Sequence, residues 1–311
     1  MIRFLLSVLL TFLIFASPGC AQTTAPSNEA APLSPGDHVR WLMMGDLKRT
    51  FLVHVPKGYD PKTPSPIVLA LHGAAMDGQM MVWFSGLNKT SEQNNFVVVY
   101  PSGTGKDPFL SWNAGQMWTK GRVDDVAFIG KLLDDLGTVV NMDAKRVYAC
   151  GMSNGAMMCY RLAVELSDRI AAIAPVAGTI AIEESHPNRP VSVIHFHGTK
   201  DRLVPFVMTT KAKRPYMRFK SVQDSIETWI KLDGCTEEPK TDVLSKDGDE
   251  MKVTRQTYGR GKDGAEVVLV VIDGGGHTWP GQEPPVAFLG KSAKISANDL
   301  IWEFFKKHPM K

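Results

Sequence analysis

The pentapeptide Gly151-Met152-Ser153-Asn154-Gly155 constrains this chain more than any other stretch. The apolar run Arg146-Val147-Tyr148-Ala149-Cys150 precedes it, and a strongly helical stretch over about 154–166 follows. Strand, sharp turn and helix in that order set a serine where flanking side chains would collide, hence glycine on both sides. At a helix start the backbone N–H groups point outward, so the Asn154 N–H can hold negative charge that develops beside Ser153. The pentapeptide by itself recurs by chance, and its setting is what carries weight. The bland alternative is a glycine-rich βα turn whose serine merely caps a helix.

The rest of the chain supplies a matching frame. Thr50-Phe51-Leu52-Val53-His54-Val55 alternates at period two, whereas Pro66-Ile67-Val68-Leu69-Ala70-Leu71 and Asn95-Phe96-Val97-Val98-Val99-Tyr100 are continuous apolar runs of buried-strand length. Over 123–140 the period changes: Val123, Val126, Ile129, Leu133, Leu136 and Val140 mark one helical face, with Asp124 and Asp125 in the first turn. Further strands are expected over 171–174, 191–196, 251–258 and 266–272, and helices over 221–232 and 293–306. Alternating strands and helices predict a doubly wound α/β architecture, a mostly parallel sheet with helices on both faces.

A serine hydroxyl needs a base, and the base an orienting acid. In the α/β-hydrolase fold these follow in the order serine, acid, histidine, on loops at the carboxyl ends of strands. Of the eight histidines, His277 fits, placed after strand 266–272 and the turn Gly274-Gly275-Gly276. Asp201 fits as the acid, within His197-Gly198-Thr199-Lys200-Asp201. Asp273 is the alternative, too close in sequence to His277 to approach it comfortably. His72-Gly73-Ala74-Ala75 closes a strand where a second oxyanion donor is expected, with the Ala74 N–H first and Ala75 second. His195-Phe196-His197 puts two imidazoles on one strand face near Asp201, a conceivable metal site, but a third ligand at convincing spacing is missing. The expected chemistry uses neither metal nor cofactor.

The N-terminus reads as a leader. Arg3 precedes an apolar run from Phe4 to Phe15, too short to span a bilayer comfortably, and small residues follow. A signal peptide is expected over 1–19, a flexible Pro-rich tether over 20–40 and one catalytic domain over 41–311. Processing before Cys20 would leave a lipid tether to a membrane; otherwise a secreted or periplasmic protein results. The net charge of +3 points to no nucleic-acid partner, and the cluster Lys211-Ala212-Lys213-Arg214 reads as a solvated loop. Cys150 and Cys159 read as free core thiols.

Leu71-His72-Gly73, Ser111-Trp112-Asn113, Val123-Asp124-Asp125-Val126-Ala127-Phe128, Gly151-Met152-Ser153-Asn154-Gly155, His197-Gly198-Thr199-Lys200-Asp201 and Gly275-Gly276-His277-Thr278-Trp279-Pro280-Gly281 occur in one order. In this the chain resembles the esterases related to poly(3-hydroxybutyrate) depolymerases and to feruloyl or acetylxylan esterases. The resemblance implies a Ser153–Asp201–His277 triad and ester substrates with bulky acyl parts. Ser111 stands where many members carry a cysteine, so that family disulfide is not expected. Trp112 and Trp279 are candidate pocket walls, with core packing as the alternative, and Phe206 a candidate for the acyl-pocket rim. The rival functions are a peptidase or acyltransferase on the same triad, and an exported binding protein with a vestigial site.

Overall fold

A computed structural model describes residues 31–115, 123–183, 185–207 and 219–311. The expected leader over 1–19, Cys20, the first part of the tether and the 211–214 cluster lie outside the described residues.

The chain enters through a hairpin of β1 (Gly36–Met44) and β2 (Leu47–Val55), followed by β3 (Ser65–Leu71). Two short helices, α1 (Gly78–Ser85) and α2 (Leu87–Asn94), lead to β4 (Val97–Pro101) and the small hairpin of β5 (Thr104–Lys106) and β6 (Phe109–Ser111). Then come α3 (Asp125–Val139), β7 (Met142–Met152), α4 (Asn154–Glu165), β8 (Ala172–Val176) and β9 (Ser192–Gly198). The remainder is α5 (Val222–Asp233), β10 (Lys240–Val243), β11 (Val253–Tyr258), β12 (Val267–Ile272) and α6 (Ala297–Lys307).

Ten strands form one sheet in the order β1-β2-β4-β3-β7-β8-β9-β12-β11-β10. The central run from β4 to β12 is parallel, and each edge carries an antiparallel pair. Both faces are covered, as a parallel sheet requires. Along β3, Ile67, Leu69 and Leu71 enter one core with α3, α4 and α5, while Val68 and Ala70 enter a second with α1, α2 and α6. Each fully buried aliphatic side chain contributes about 1.5–3 kcal/mol, so the continuous apolar strands are what hold this sheet central.

The domain begins earlier than the sequence predicts. β1, for which the sequence predicts no strand, starts at Gly36 inside the stretch read as tether, and the Leu33 N–H already donates to the Val139 carbonyl (2.8 Å). The strand was masked by its charge: Arg40 is buried, with Nη2 3.0 Å from Asp135, where an apolar residue would have shown the alternation. The last helix starts at Ala297 rather than 293, because Ser296 accepts the Asp299 N–H and fixes the N-terminus there.

Candidate active site

Parallel strands discharge their loops at one edge, and here the carboxyl ends of β3, β7, β9 and β12 deliver His72-Gly73-Ala74, Ser153, Asp201 and His277 to it. Ser153 has φ 56° and ψ −115°, a conformation that costs a non-glycine residue about 1–3 kcal/mol. The surroundings enforce it. The Ser153 N–H donates to the Val176 carbonyl (2.9 Å). A Cβ on Gly155 would lie 2.2 Å from the Leu71 carbonyl oxygen, and one on Gly178 2.2 Å from the Ser153 carbonyl oxygen. Glycine is therefore obligatory at both positions. Among the described residues no hydrogen bond ends on the Ser153 hydroxyl.

His277, 5% exposed, donates from Nδ1 to Asp201 Oδ2 at 2.7 Å, which leaves its Nε2 without a partner among the described residues. The other carboxylate oxygen, Oδ1, accepts the Leu203 and Val204 N–H groups at 2.8 and 2.9 Å. Burial pushes the Asp201 pKa up, but the hydrogen bond and electrostatic pull of His277, the pull of the His197 ring and the Val204 amide outweigh it. The carboxyl therefore stays below its ordinary value. Asp273 plays a different part: it is exposed and accepts the Thr199 hydroxyl (3.0 Å).

Behind Asp201 runs a buried chain of hydrogen bonds. The Tyr160 hydroxyl of α4 meets His195 Nδ1 at 2.8 Å, His195 Nε2 meets His197 Nδ1 at 3.0 Å, and His197 Nε2 meets the Val204 carbonyl at 2.8 Å. A carbonyl only accepts, so His197 carries its proton on Nε2, His195 donates to it, and Tyr160 donates to His195. His197 Nε2 is also 3.5 Å from Asp201 Oδ2, long for a hydrogen bond but close for a dipole beside a carboxylate. Burial lowers the pKa of both imidazoles; the His197 ring adds to that effect at His195, whereas Asp201 and the Val204 carbonyl oppose it at His197 without reversing it, so both stay neutral. The nitrogens weighed as metal ligands in the sequence thus face each other, a tyrosine and a carbonyl.

A second buried circuit fixes the loop after β3. His72 donates from Nδ1 to the Gly73 carbonyl (2.7 Å) and accepts the Gly103 N–H at Nε2 (2.8 Å). Burial lowers its pKa to about 4. The Ala75 N–H is taken by the Leu110 carbonyl (2.8 Å), whereas the exposed Ala74 has no hydrogen-bond partner among the described residues. A Cβ on Gly73 would lie 3.6 Å from Ser153 Cβ, so this loop abuts the elbow. Asn154, the first residue of α4, has an N–H with no intrahelical acceptor.

Among the described residues the two tryptophans face the interior rather than a pocket. Trp112 and Trp279 are 0% and 1% exposed, and their indole N–H groups donate to the His72 carbonyl (3.0 Å) and to Asn298 Oδ1 (2.8 Å). Each has a buried acceptor waiting inside the fold, so the wall assignment is corrected to a bracing role. Phe206 is partly buried and packs edge-on to His197, 5.9 Å between centroids. The sequence reading overlooked the Asn154 side chain, which accepts the Trp112 N–H (2.6 Å) and donates to the Trp112 carbonyl (3.3 Å), fastening one loop to the elbow. It also overlooked Tyr160, and only its place on the elbow helix could have drawn notice. Cys150 and Cys159 are free and buried, and burial raises both thiols.

Sheet, elbow and carboxyl-edge loops define an esterase of the α/β-hydrolase fold. The chain matches the phospholipase/carboxylesterase family over residues 58–230, and it belongs to that family. A relative from Nocardia uniformis subsp. tsuyamanensis, named as an esterase, is 30% identical over 276 residues, 84% of this chain and 78% of its own length. Feruloyl esterase B of Piromyces equi is 29% identical over 238 residues, which is 74% of this chain but 42% of that protein. The solved acetyl xylan esterase from Aspergillus awamori shares the fold with a TM-score of 0.60 at 17% identity, over 86% of this chain and 98% of that one.

Proposed function

We propose that the chain hydrolyses carboxylic esters of the feruloyl, acetyl or hydroxyalkanoate type through Ser153, His277 and Asp201. The observation that carries this is the 2.7 Å bond from His277 Nδ1 to a doubly anchored Asp201 carboxylate, on the same sheet edge as a serine at φ 56°. Asp201 holds the imidazole with its proton on Nδ1, so Nε2 is the base. His277 Nε2 takes the Ser153 proton as Oγ attacks the ester carbonyl. The Ala74 and Asn154 N–H groups, both free of partners among the described residues, receive the oxyanion. His277 then protonates the leaving alcohol, and water repeats the sequence on the acyl-enzyme. The apolar leader over 1–19 supports export.

Ser153→Ala is expected to lower kcat for p-nitrophenyl acetate by on the order of 10⁴-fold or more, with unchanged circular dichroism. A labelled fluorophosphonate should modify the natural protein and not the variant. Retained turnover in the variant, or no labelling of the natural protein, refutes the assignment.

A further inference from the structure

We propose that the cavity beside the acid–base pair binds a carboxylate carried by the non-reacting part of the ester. The proposal rests on the esterase reading above and adds a substrate class to it. The cavity measures about 320 Å³ and opens at the carboxyl edge of β9 and β12. Its lining residues flank the acid–base pair along the chain. Gly276, the neighbour of His277, forms one wall, and Lys200 and Arg202, on either side of Asp201, contribute another. A strap over 287–291 closes it, bonded to the same backbone: the His277 N–H donates to the Leu289 carbonyl (2.7 Å) and the Gly276 N–H to the Lys291 carbonyl (2.9 Å).

The charges in this cavity are unequally satisfied. Both carboxylates have partners: Glu250 is paired with Lys291, and Asp273 accepts the Thr199 hydroxyl (3.0 Å). The Lys291 hydrogen bond and charge, with the charge of Lys294 beyond it, hold Glu250 below its ordinary pKa. Lys200 and Arg202 are both exposed, and their side chains have neither ion pair nor hydrogen bond among the described residues. Three cations thus line the cavity against two carboxylates, and the surplus positive charge lies at Lys200 and Arg202. Phe288, 48% exposed, and its neighbours Ala287 and Leu289 add apolar surface beside those cations. Cations next to apolar area suit an organic carboxylate better than a bare inorganic ion. Two kinds of ester fit that description: a hydroxy-acid oligomer with a free acid end, and a sugar ester whose saccharide carries a uronate.

Calorimetric titration separates them. In the uronate arm the natural protein receives xylotriose substituted with glucuronate, against neutral xylotetraose. In the hydroxy-acid arm the Ser153→Ala protein receives the 3-hydroxybutyrate dimer, against its methyl ester. The acidic probe is expected to bind about tenfold more tightly than its neutral counterpart in at least one arm. That advantage should shrink in 0.5 M salt and fall below about twofold in a Lys200→Gln, Arg202→Gln double variant. The arm that shows it names the source. Equal affinity for acidic and neutral probes in both arms overturns the proposal, as does a preference that survives the double variant. Because the readout is binding, such a failure leaves the fluorophosphonate test of Ser153 to stand or fall separately.

Discussion

His197→Phe removes both ring nitrogens from the buried chain behind Asp201 while keeping an aromatic ring of similar volume in place. His197 is 1% exposed, so no water can take over its hydrogen bonds. The variant strands the His195 N–H, which lost an acceptor at 3.0 Å, and the Val204 carbonyl, which lost a donor at 2.8 Å. A buried polar group left unpaired costs about 1–3 kcal/mol, so the pair costs about 2–6 kcal/mol. At roughly 2–4 °C per kcal/mol for a domain near this size, Tm should fall by at least about 4 °C. Catalysis should suffer as well, because Val204 belongs to the turn that presents Asp201 to His277. With that turn loosened, kcat for p-nitrophenyl acetate is expected to drop about tenfold. His197→Gln supplies an amide donor for Val204 and a carbonyl acceptor for His195, and should recover most of both losses. Thermal unfolding followed by circular dichroism, with steady-state kinetics on the same preparations, gives the two numbers. A His197→Phe protein within about 2 °C of the natural Tm and with full kcat would refute the reasoning.

Two further outcomes follow from buried titratable groups. His72 has its pKa lowered to about 4, so the unfolded chain binds a proton that the folded one refuses. The stability tied to that neutral ring is complete above about pH 6.5 and lost as pH falls toward 4, by about 3 kcal/mol in all. Tm should therefore decline across that window and do so less steeply in His72→Gln; equal slopes count against it. Asp233 behaves oppositely: burial pushes its pKa up to about 7, while only Oδ1 is satisfied, by the Val191 N–H at 3.1 Å. Its folded-state penalty grows as pH rises from about 4 to 7, so Asp233→Asn should raise Tm most at pH 8, less at pH 5 and hardly at all below pH 4. A variant that is destabilised at pH 8 contradicts this.

The parts of the fold visible in the sequence are those in which one physical signal acts alone. β3 and β4 are legible because strands buried on both faces must be apolar throughout, and α3 because one helical stripe meets one core. Where signals conflict, the reading fails. α2, Leu87-Asn88-Lys89-Thr90-Ser91-Glu92-Gln93-Asn94, buries only Leu87, Thr90 and Ser91, too little to show a stripe. α1 lies between Asp77, which accepts the Met80 N–H, and a left-handed Gly86, boundaries that look like loop chemistry in a linear string. The antiparallel edge strand β10 is short and largely exposed. At the candidate site, the gathering of Ser153, Asp201 and His277 on one sheet edge is legible, because the proposed chemistry asks for them in that chain order. The orientation of Trp112 and Trp279 is not, because it depends on acceptors contributed by His72 and Asn298, distant in the chain.

The site is held by two buried circuits on either side of Ser153, and their separation has a consequence for how it can fail. One runs from the Asn154 side chain to the Trp112 backbone, from the Trp112 indole to the His72 carbonyl, and from the His72 ring to Gly73 and Gly103. It fixes the loop bearing Ala74 against the elbow. The other runs from Tyr160 through His195 and His197 to the Val204 carbonyl, and fixes the turn bearing Asp201. Both are anchored on α4, through Asn154 at its first residue and Tyr160 two turns on, so one helix sets donor loop and acid loop relative to the same serine. Every member is neutral and buried, and no flexible charged side chain intervenes, so neither circuit can drift far without stranding a polar group at about 1–3 kcal/mol. That cost opposes the strain stored at Ser153. If the proposed mechanism holds, a lesion in the first circuit should weaken oxyanion binding and leave the His277–Asp201 bond intact. A lesion in the second should disturb the base while sparing the donors.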